Sequence, residues 1–165
     1  MAEHEGWWAM SSVTLAGGTA ADRDSVIALM HTYLEANASF DWQTLQGRIW
    51  ADDDTAMFFN MNGHTYVGRD HWVALWKYYG QQAQTGTWVP YDIAGTVGDE
   101  VAVLWSHRKT HMSWVGSDPR PNDPWHADKD FISRATMVFN KKPEGWRVVH
   151  VHFSEANPGQ RPGGI

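Results

Sequence analysis

From Thr87 to Ser154 the chain alternates apolar and polar residues over long runs, interrupted by turn residues. Alternation of this kind sends successive side chains to opposite faces of a strand. It predicts four long strands: Thr87–Val97, Val101–Met112, Lys129–Asn140 and Trp146–Ser154. Gly98-Asp99 turns between the first two, and Pro143–Gly145 between the last two. The stretch Ser113–Ala127, rich in Pro, Asp and Gly, reads as a loop. Such strands form an antiparallel sheet.

The first half of the chain has the helical period instead. Val26, Leu29, Met30, Tyr33 and Leu34 fall at three- and four-residue steps, with Asp22 or Asp24 placed to cap the start. Asp41–Ile49 reads as a short second helix capped by Asp41. In TAMFFNMNGHTYVG, Asn62-Gly63 splits two short strand-like runs, which is a strong hairpin signal. Gly68–Gln82 is helical again, with Trp72, Leu75, Trp76 and Tyr79 on one face. Residues 1–20 show little periodicity and read as a flexible arm in which Trp7 and Trp8 are able to dock. The tail 157–165 reads as flexible too.

At 165 residues with no internal repeat, the chain is expected to form one domain, over residues 21–156. Helices gathered at one end of an antiparallel sheet make an α+β fold. A strongly bent, cone-shaped sheet wrapped on three N-terminal helices would leave a cavity at its open end.

Composition removes several function classes. With no Cys, disulfides and thiolate zinc sites are excluded. That absence suits a reducing compartment, and a cytoplasmic location is the expectation. Glu3 and Glu5 stand where a signal peptide would be basic, and no run approaches the roughly 20 apolar residues that span a bilayer. The formal charge is −6 and there is no basic cluster beyond the pairs Arg108-Lys109 and Lys141-Lys142, so neither nucleic acid nor a membrane is an expected partner. The 11 Trp residues admit two readings, a Trp-rich core with a dimer interface or a pocket lined for a flat aromatic ligand.

Three stretches in this order, MHTYLEANASFDWQTLQGRIWADDDTAMF, YVGRDHWVALW and GWRVVHVHFS, resemble the nuclear transport factor 2-like superfamily. That superfamily includes ketosteroid isomerases, SnoaL-like proteins and the association (hub) domain of calmodulin-dependent kinase II. The resemblance covers about residues 22–156 and implies the cone fold, but no single reaction. It places Tyr33 where ketosteroid isomerases carry an oxyanion-hole Tyr. It places Phe58 on the isomerase's general-base Asp and Ala135 near its protonated Asp. Two of three catalytic positions are thus apolar, which argues against a plain ketosteroid isomerase. Arg108, in LWSHRKTH, matches a pocket Arg of the hub domain, where an Arg can hold a carboxylate or a phenolate.

The candidate site residues follow from both lines. Tyr33, His71, Arg108, Arg134 and His152 are candidates for catalysis. Phe58, Asn60, Trp72, Trp76, Trp88, Tyr91, Met137 and Val151 are candidates for lining the substrate. Each has a structural alternative. Tyr33 can be a core tyrosine, Asn60 can prepare the Asn62-Gly63 turn, and the indoles can be ordinary packing. His64 sits in the hairpin, while His71, in the first turn of a helix near the mouth, suits a general base because imidazole titrates near neutrality.

His107 and His111, four apart on a strand, share a face but stand roughly 13 Å apart, too far for one ion. His150 and His152 can pair on one face, yet no third ligand is evident, so no metal and no other cofactor is expected. Alternation puts Trp146, Val148, His150, His152 and Ser154 on one face of the last strand. Arg147, Val149, Val151 and Phe153 take the other, which is the expected pocket side. The first face, with Arg134 and Thr136 beside it, would then be outward and suited to a homodimer interface.

The expected function is a cofactor-independent acid/base lyase, acting by dehydration or by loss of a small carbonyl fragment such as formaldehyde. Its substrate would be an aromatic or polycyclic hydroxylated small molecule, lignin-derived diaryl compounds being one such class. The missing carboxylate base, beside many His and Tyr, favours a lyase over an isomerase. Two alternatives stay open. One is a SnoaL or ketosteroid isomerase-type isomerase or cyclase using Asp41 or Asp54. The other is a non-enzymatic ligand-binding or association domain.

Overall fold

Thr19 starts the first helix. Its hydroxyl oxygen accepts from the Asp22 N–H, so α1 runs Ala20–Ser39 and Thr19, not Asp22 or Asp24, is the cap. The helix stops at Phe40, whose left-handed backbone (φ 52°) returns its N–H to helix carbonyls. Asp22 ties α1 to the sheet instead, accepting from Lys141 Nζ at 2.7 Å and Trp146 Nε1 at 3.0 Å. The structure, a computed structural model, describes residues 12–51, 56–118, 129–156 and 162.

The remaining elements follow the predicted order, with two unpredicted strands, Val13–Gly17 and Ala83–Thr85, added. They are α2 Trp42–Arg48, β2 Met57–Phe59, β3 Thr65–Val67, α3 Gly68–Gln82, β4 Ala83–Thr85, β5 Val89–Val97, β6 Val101–Trp114, β7 Lys129–Lys142 and β8 Gly145–Glu155, after β1 at Val13–Gly17. Asp41 caps α2 as predicted, accepting from the Thr44 N–H. The β2–β3 hairpin turns at Gly63, whose φ of 80° suits glycine.

The sheet runs β1-β5-β6-β7-β8-β2-β3, with β4 paired to β6; it is strongly curved and unclosed. Two features depart from the expected antiparallel sheet. Strand β1 lies within the stretch read as an arm and pairs in parallel with β5, and β2 pairs in parallel with β8. The sheet is therefore mixed. Strand β1, five residues long, is too brief for periodicity to reveal, whereas β2 was read as a strand and only its parallel partner was not, because pairing depends on tertiary register. The expectations for Trp7, Trp8 and Asp54 fall outside the described residues, as does the tail reading apart from residue 162.

The core lies between the helices and the inner face of the sheet. It joins Val26, Met30 and Tyr33 of α1 and Trp72 and Trp76 of α3 to Leu104, Met137, Val148, Val151 and Phe153. Strand β8 corrects the predicted parity. Val138 pairs with His150 while the next residue, Phe139, pairs with Val148, so Val149 is an extra residue. This bulge lets Trp146 and Val148 face inward before it and Val151 and Phe153 face inward after it. The outward placing of His152 was right; Trp146 and Val148 were assigned to the wrong side.

Candidate functional site

Arg108 carries the site. It sits mid-strand on β6, between Leu104 and Met112 on the inward parity, and is 2% exposed. Its Nε donates to Ser133 Oγ at 2.8 Å, and its Nη1 donates to Asn37 Oδ1 at 3.4 Å. Ser133 is its direct cross-strand neighbour on β7, and Asn37 reaches it from α1. The guanidinium carbon lies 3.6 Å from the Phe153 ring centroid and 4.3 Å from that of Trp88. No carboxylate among the described residues pairs with it. Burial lowers its pKa to about 10, so it remains a cation at neutral pH.

Tyr33 lies one helical turn before Asn37 on α1 and is fully buried. Its ring meets Trp76 edge-on at 5.6 Å and Phe153 at 6.1 Å. Burial pushes its pKa well above the usual phenol value, while the Arg108 charge and the Trp72 indole N–H pull it back in part. The phenol is thus neutral and able to donate. Its oxygen completes no hydrogen bond among the described residues, nor do Nε1 of Trp72 and Trp50.

The predicted lining residues divide. Phe58, Trp72, Trp76, Trp88, Met137 and Val151 are all buried in the core cluster with Tyr33 and Arg108. Phe58 stacks on Trp72 at 5.0 Å and 25°. Phe58 and Ala135, where the resemblance puts the isomerase carboxylates, are both buried, so the interior presents apolar atoms there. Asn60 is buried but spent on the hairpin, its Oδ1 accepting from the Asn62 N–H.

Four predicted site residues do not join this group. Tyr91 stacks on His107 at 5.2 Å, next to the irregularity at Tyr91/Ala94 that places Asp92 at φ 51° and brings its carboxylate 3.0 Å from His107 Nδ1. Arg134 is exposed and donates from Nε to Ser154 Oγ. His152 is exposed, its ring edge-on to Phe59 at 5.5 Å. His71 is exposed in the first turn of α3, where its Nδ1 accepts from the Val67 N–H and stands in for a cap. Strand parity explains three of the four: Arg134, His152 and His107 with its partner Tyr91 share the face opposite Arg108.

The paired histidines of β8 also settle into local roles. His150 Nδ1–H donates to the Met57 carbonyl at 2.7 Å, and both imidazoles flank Phe59. Among the described residues no three His, Asp or Glu side chains gather to hold a metal. Asn37 and Ser133 were not predicted. Asn37 was detectable as a polar residue four after Tyr33 on an apolar helix face. Ser133 was not, because it depends on register between strands.

A family model described as a SnoaL-like domain matches residues 26–158. The chain belongs to the SnoaL-like family. No functionally curated protein matches this SnoaL-like chain. Among solved structures, a nuclear transport factor 2-like superfamily protein from Salmonella enterica is 20% identical and superposes with a TM-score of 0.71 over 88% of this chain and 99% of that one. A Streptomyces avermitilis protein of the same fold family, provisionally described as a dehydratase, is 17% identical, with a TM-score of 0.66 over 84% and 99%. A Novosphingobium aromaticivorans protein, provisionally described as an aromatic ring hydroxylase, is 15% identical, with a TM-score of 0.65 over 86% and 94%. At these identities the likeness establishes the fold. No helix of the described SnoaL-like chain is long and apolar enough to cross a membrane.

Proposed function

We propose that this SnoaL-like protein is a cofactor-independent lyase acting on a hydroxylated aromatic small molecule, with Tyr33 and Arg108 as the catalytic pair. The observation that carries this reading is a buried cation, without a carboxylate partner among the described residues, beside a neutral buried phenol. A dehydration needs little more. Tyr33 gives its proton to the departing hydroxyl as the C–O bond breaks, and water leaves. The Tyr33 phenolate then takes the proton from the neighbouring carbon, the double bond forms, and the phenol is restored. Arg108 stabilises the negative charge that develops in this low-dielectric setting. Loss of formaldehyde balances as a relay: the C–C bond breaks as Tyr33 gives its proton to the carbon left behind and takes the hydroxymethyl O–H proton in exchange, which restores the phenol.

The dehydratase description of the Streptomyces neighbour is in keeping with this class. The outward face, with Trp105 48% and Val101 49% exposed, suits the homodimer expected of the fold. The test is turnover. Hydroxylated diaryl alcohols and diols are incubated with the purified chain, and alkene, water-loss products and formaldehyde are followed by mass spectrometry. Product formation that survives chelator treatment and falls sharply in Tyr33→Phe is expected. Absence of every elimination product, or activity lost to chelator and restored by one metal, sinks the proposal.

A second reading has its own observation. No imidazole or carboxylate among the described residues joins Tyr33 and Arg108, and the indoles of Trp50, Trp72 and Trp76 pack on one another. A ligand-binding domain without catalysis fits that picture. It predicts saturable binding with no product.

A further inference from the structure

The unpaired polar atoms around Arg108 are one-sided. Arg and Trp side chains only donate hydrogen bonds, and a neutral phenol can donate as well. The acceptors beside Arg108, Asn37 Oδ1 and Ser133 Oγ, are already taken by its Nη1 and Nε. Its Nη2 makes no hydrogen bond among the described residues. Tyr33 Oη, Trp72 Nε1 and Trp50 Nε1 are buried donors in the same position. These groups are linked through shared rings. Arg108 and Tyr33 both lie on Phe153, Trp72 meets Phe153 at 6.3 Å, and Trp50 meets Trp72 at 6.3 Å. Buried donors seldom stay unpaired, and a buried charge is costly without a counter-charge. Among the described residues nothing meets either demand.

We propose that the site takes a planar aromatic monocarboxylate, with its carboxylate on the Nη2 end of Arg108 and its ring against the indoles of Trp72 and Trp76. This deepens the reading above by naming the substrate's anionic group; it rests on that reading for the site and not for the reaction. The charge count selects a monoanion, since one guanidinium balances one negative charge and a dianion would leave a second in apolar surroundings. The donor count selects a carboxylate, whose two oxygens offer about four acceptor sites. A phenol would have to ionise first, about three pK units above neutral pH, whereas a carboxylic acid arrives ionised. The walls select an aromatic ring, because Phe58, Trp72, Trp76 and Phe153 present flat apolar surface.

The experiment is calorimetric titration of the full chain at pH 7 with 2-naphthoate and its uncharged isostere 2-naphthamide. Naphthoate is expected to bind at least tenfold more tightly than the amide. Arg108→Met is expected to lose at least tenfold in naphthoate affinity, and Tyr33→Phe and Trp72→Phe two- to tenfold each. Circular dichroism checks that each variant folds. If Arg108→Met does not fold, the two conservative variants decide, and unchanged affinity in both overturns the proposal. Equal affinity for acid and amide, or no binding of either, also overturns it. Naphthoate binding without elimination from any hydroxylated aromatic acid would keep this inference and remove the lyase reading. Elimination from neutral substrates, with no preference for acids, would do the reverse.

Discussion

The Arg108 guanidinium reaches from β6 across β7 to lie 3.6 Å from the ring centroid of Phe153 on β8. A cation over an aromatic face gains about 0.5–2 kcal/mol, less than the several kcal/mol that desolvation of a charge costs. Two charge-assisted hydrogen bonds, to Ser133 and Asn37, narrow the gap, yet no carboxylate among the described residues supplies a counter-charge. On the proposed reading, a bound anion would close that gap.

Arg108→Met should accordingly leave the unliganded protein about as stable, or up to about 2 kcal/mol more stable, because lost bonds to Ser133 and Asn37 offset a removed desolvation cost. Urea unfolding measures this. A loss above about 2 kcal/mol would mean that Arg108 is structural. Activity or ligand binding should fall in the same variant, a trade of function for stability.

Tyr33→Phe removes a buried hydroxyl that completes no hydrogen bond among the described residues. Stability should hold or rise by about 1 kcal/mol. Elimination activity should fall by about 10²–10⁴, the usual contribution of a positioned proton donor. Thermal melting and kcat/KM on one sample separate the two effects. Reduced stability with unchanged kcat/KM would return Tyr33 to the core.

Asp22 supplies a pH test of how α1 is held. Bonds from Lys141, Trp146 and Thr19 lower its pKa from 3.8 to about 2. The folded state thus binds fewer protons than the unfolded state between those values, so stability rises with pH across that window. The contribution is complete above about pH 4 and disappears as pH falls through 2. Asp22→Asn should lower the urea midpoint at pH 6, and the gap to the unmodified protein should narrow toward pH 2. A gap independent of pH would show that its charge is not what holds the helix.

Most of the architecture was legible because periodicity reports on long elements. α3 was read as Gly68–Gln82 and found there, and Asn62-Gly63 turned the hairpin as its chemistry demands. Periodicity failed where one residue changes the count. Val149 is that residue in β8: without the bulge, alternation sends Trp146 outward, and nothing local in RVVHV announces it. Which candidates share one cluster was legible by half for the same reason. The common placement of Tyr33, Arg108 and the indoles follows from parity on unbroken elements, whereas Ser133 needs the β6–β7 register. His71, Arg134 and His152 were chosen for chemistry ahead of orientation, and they lie exposed, away from Arg108.

Deleting Val149 tests that explanation. Removal should return β8 to strict alternation with Trp146, Val148, Val151 and Phe153 all on the inner face, because Val149 is the one extra residue between the two pairs. A cooperative unfolding transition is therefore expected in the deletion variant, whereas its loss would show that the inward placing of both pairs does not rest on the extra residue alone.

The outward residues need a negative control. Arg134→Met and His152→Ala should each change kcat/KM by less than about threefold, because both side chains lie across the sheet from Arg108. A hundredfold loss in either, with folding intact, would place chemistry on the outer face.

The most direct measurement is a crystal structure of the chain soaked with 2-naphthoate. The carboxylate should lie within hydrogen-bond distance of Arg108 Nη2, with Tyr33 Oη or Trp72 Nε1 as a second donor and the ring against Trp72 and Trp76. Naphthoate bound instead beside His107 and Arg134 on the outer face, or an interior that admits no ligand at saturating concentration, would contradict a functional site built on Arg108 and Tyr33.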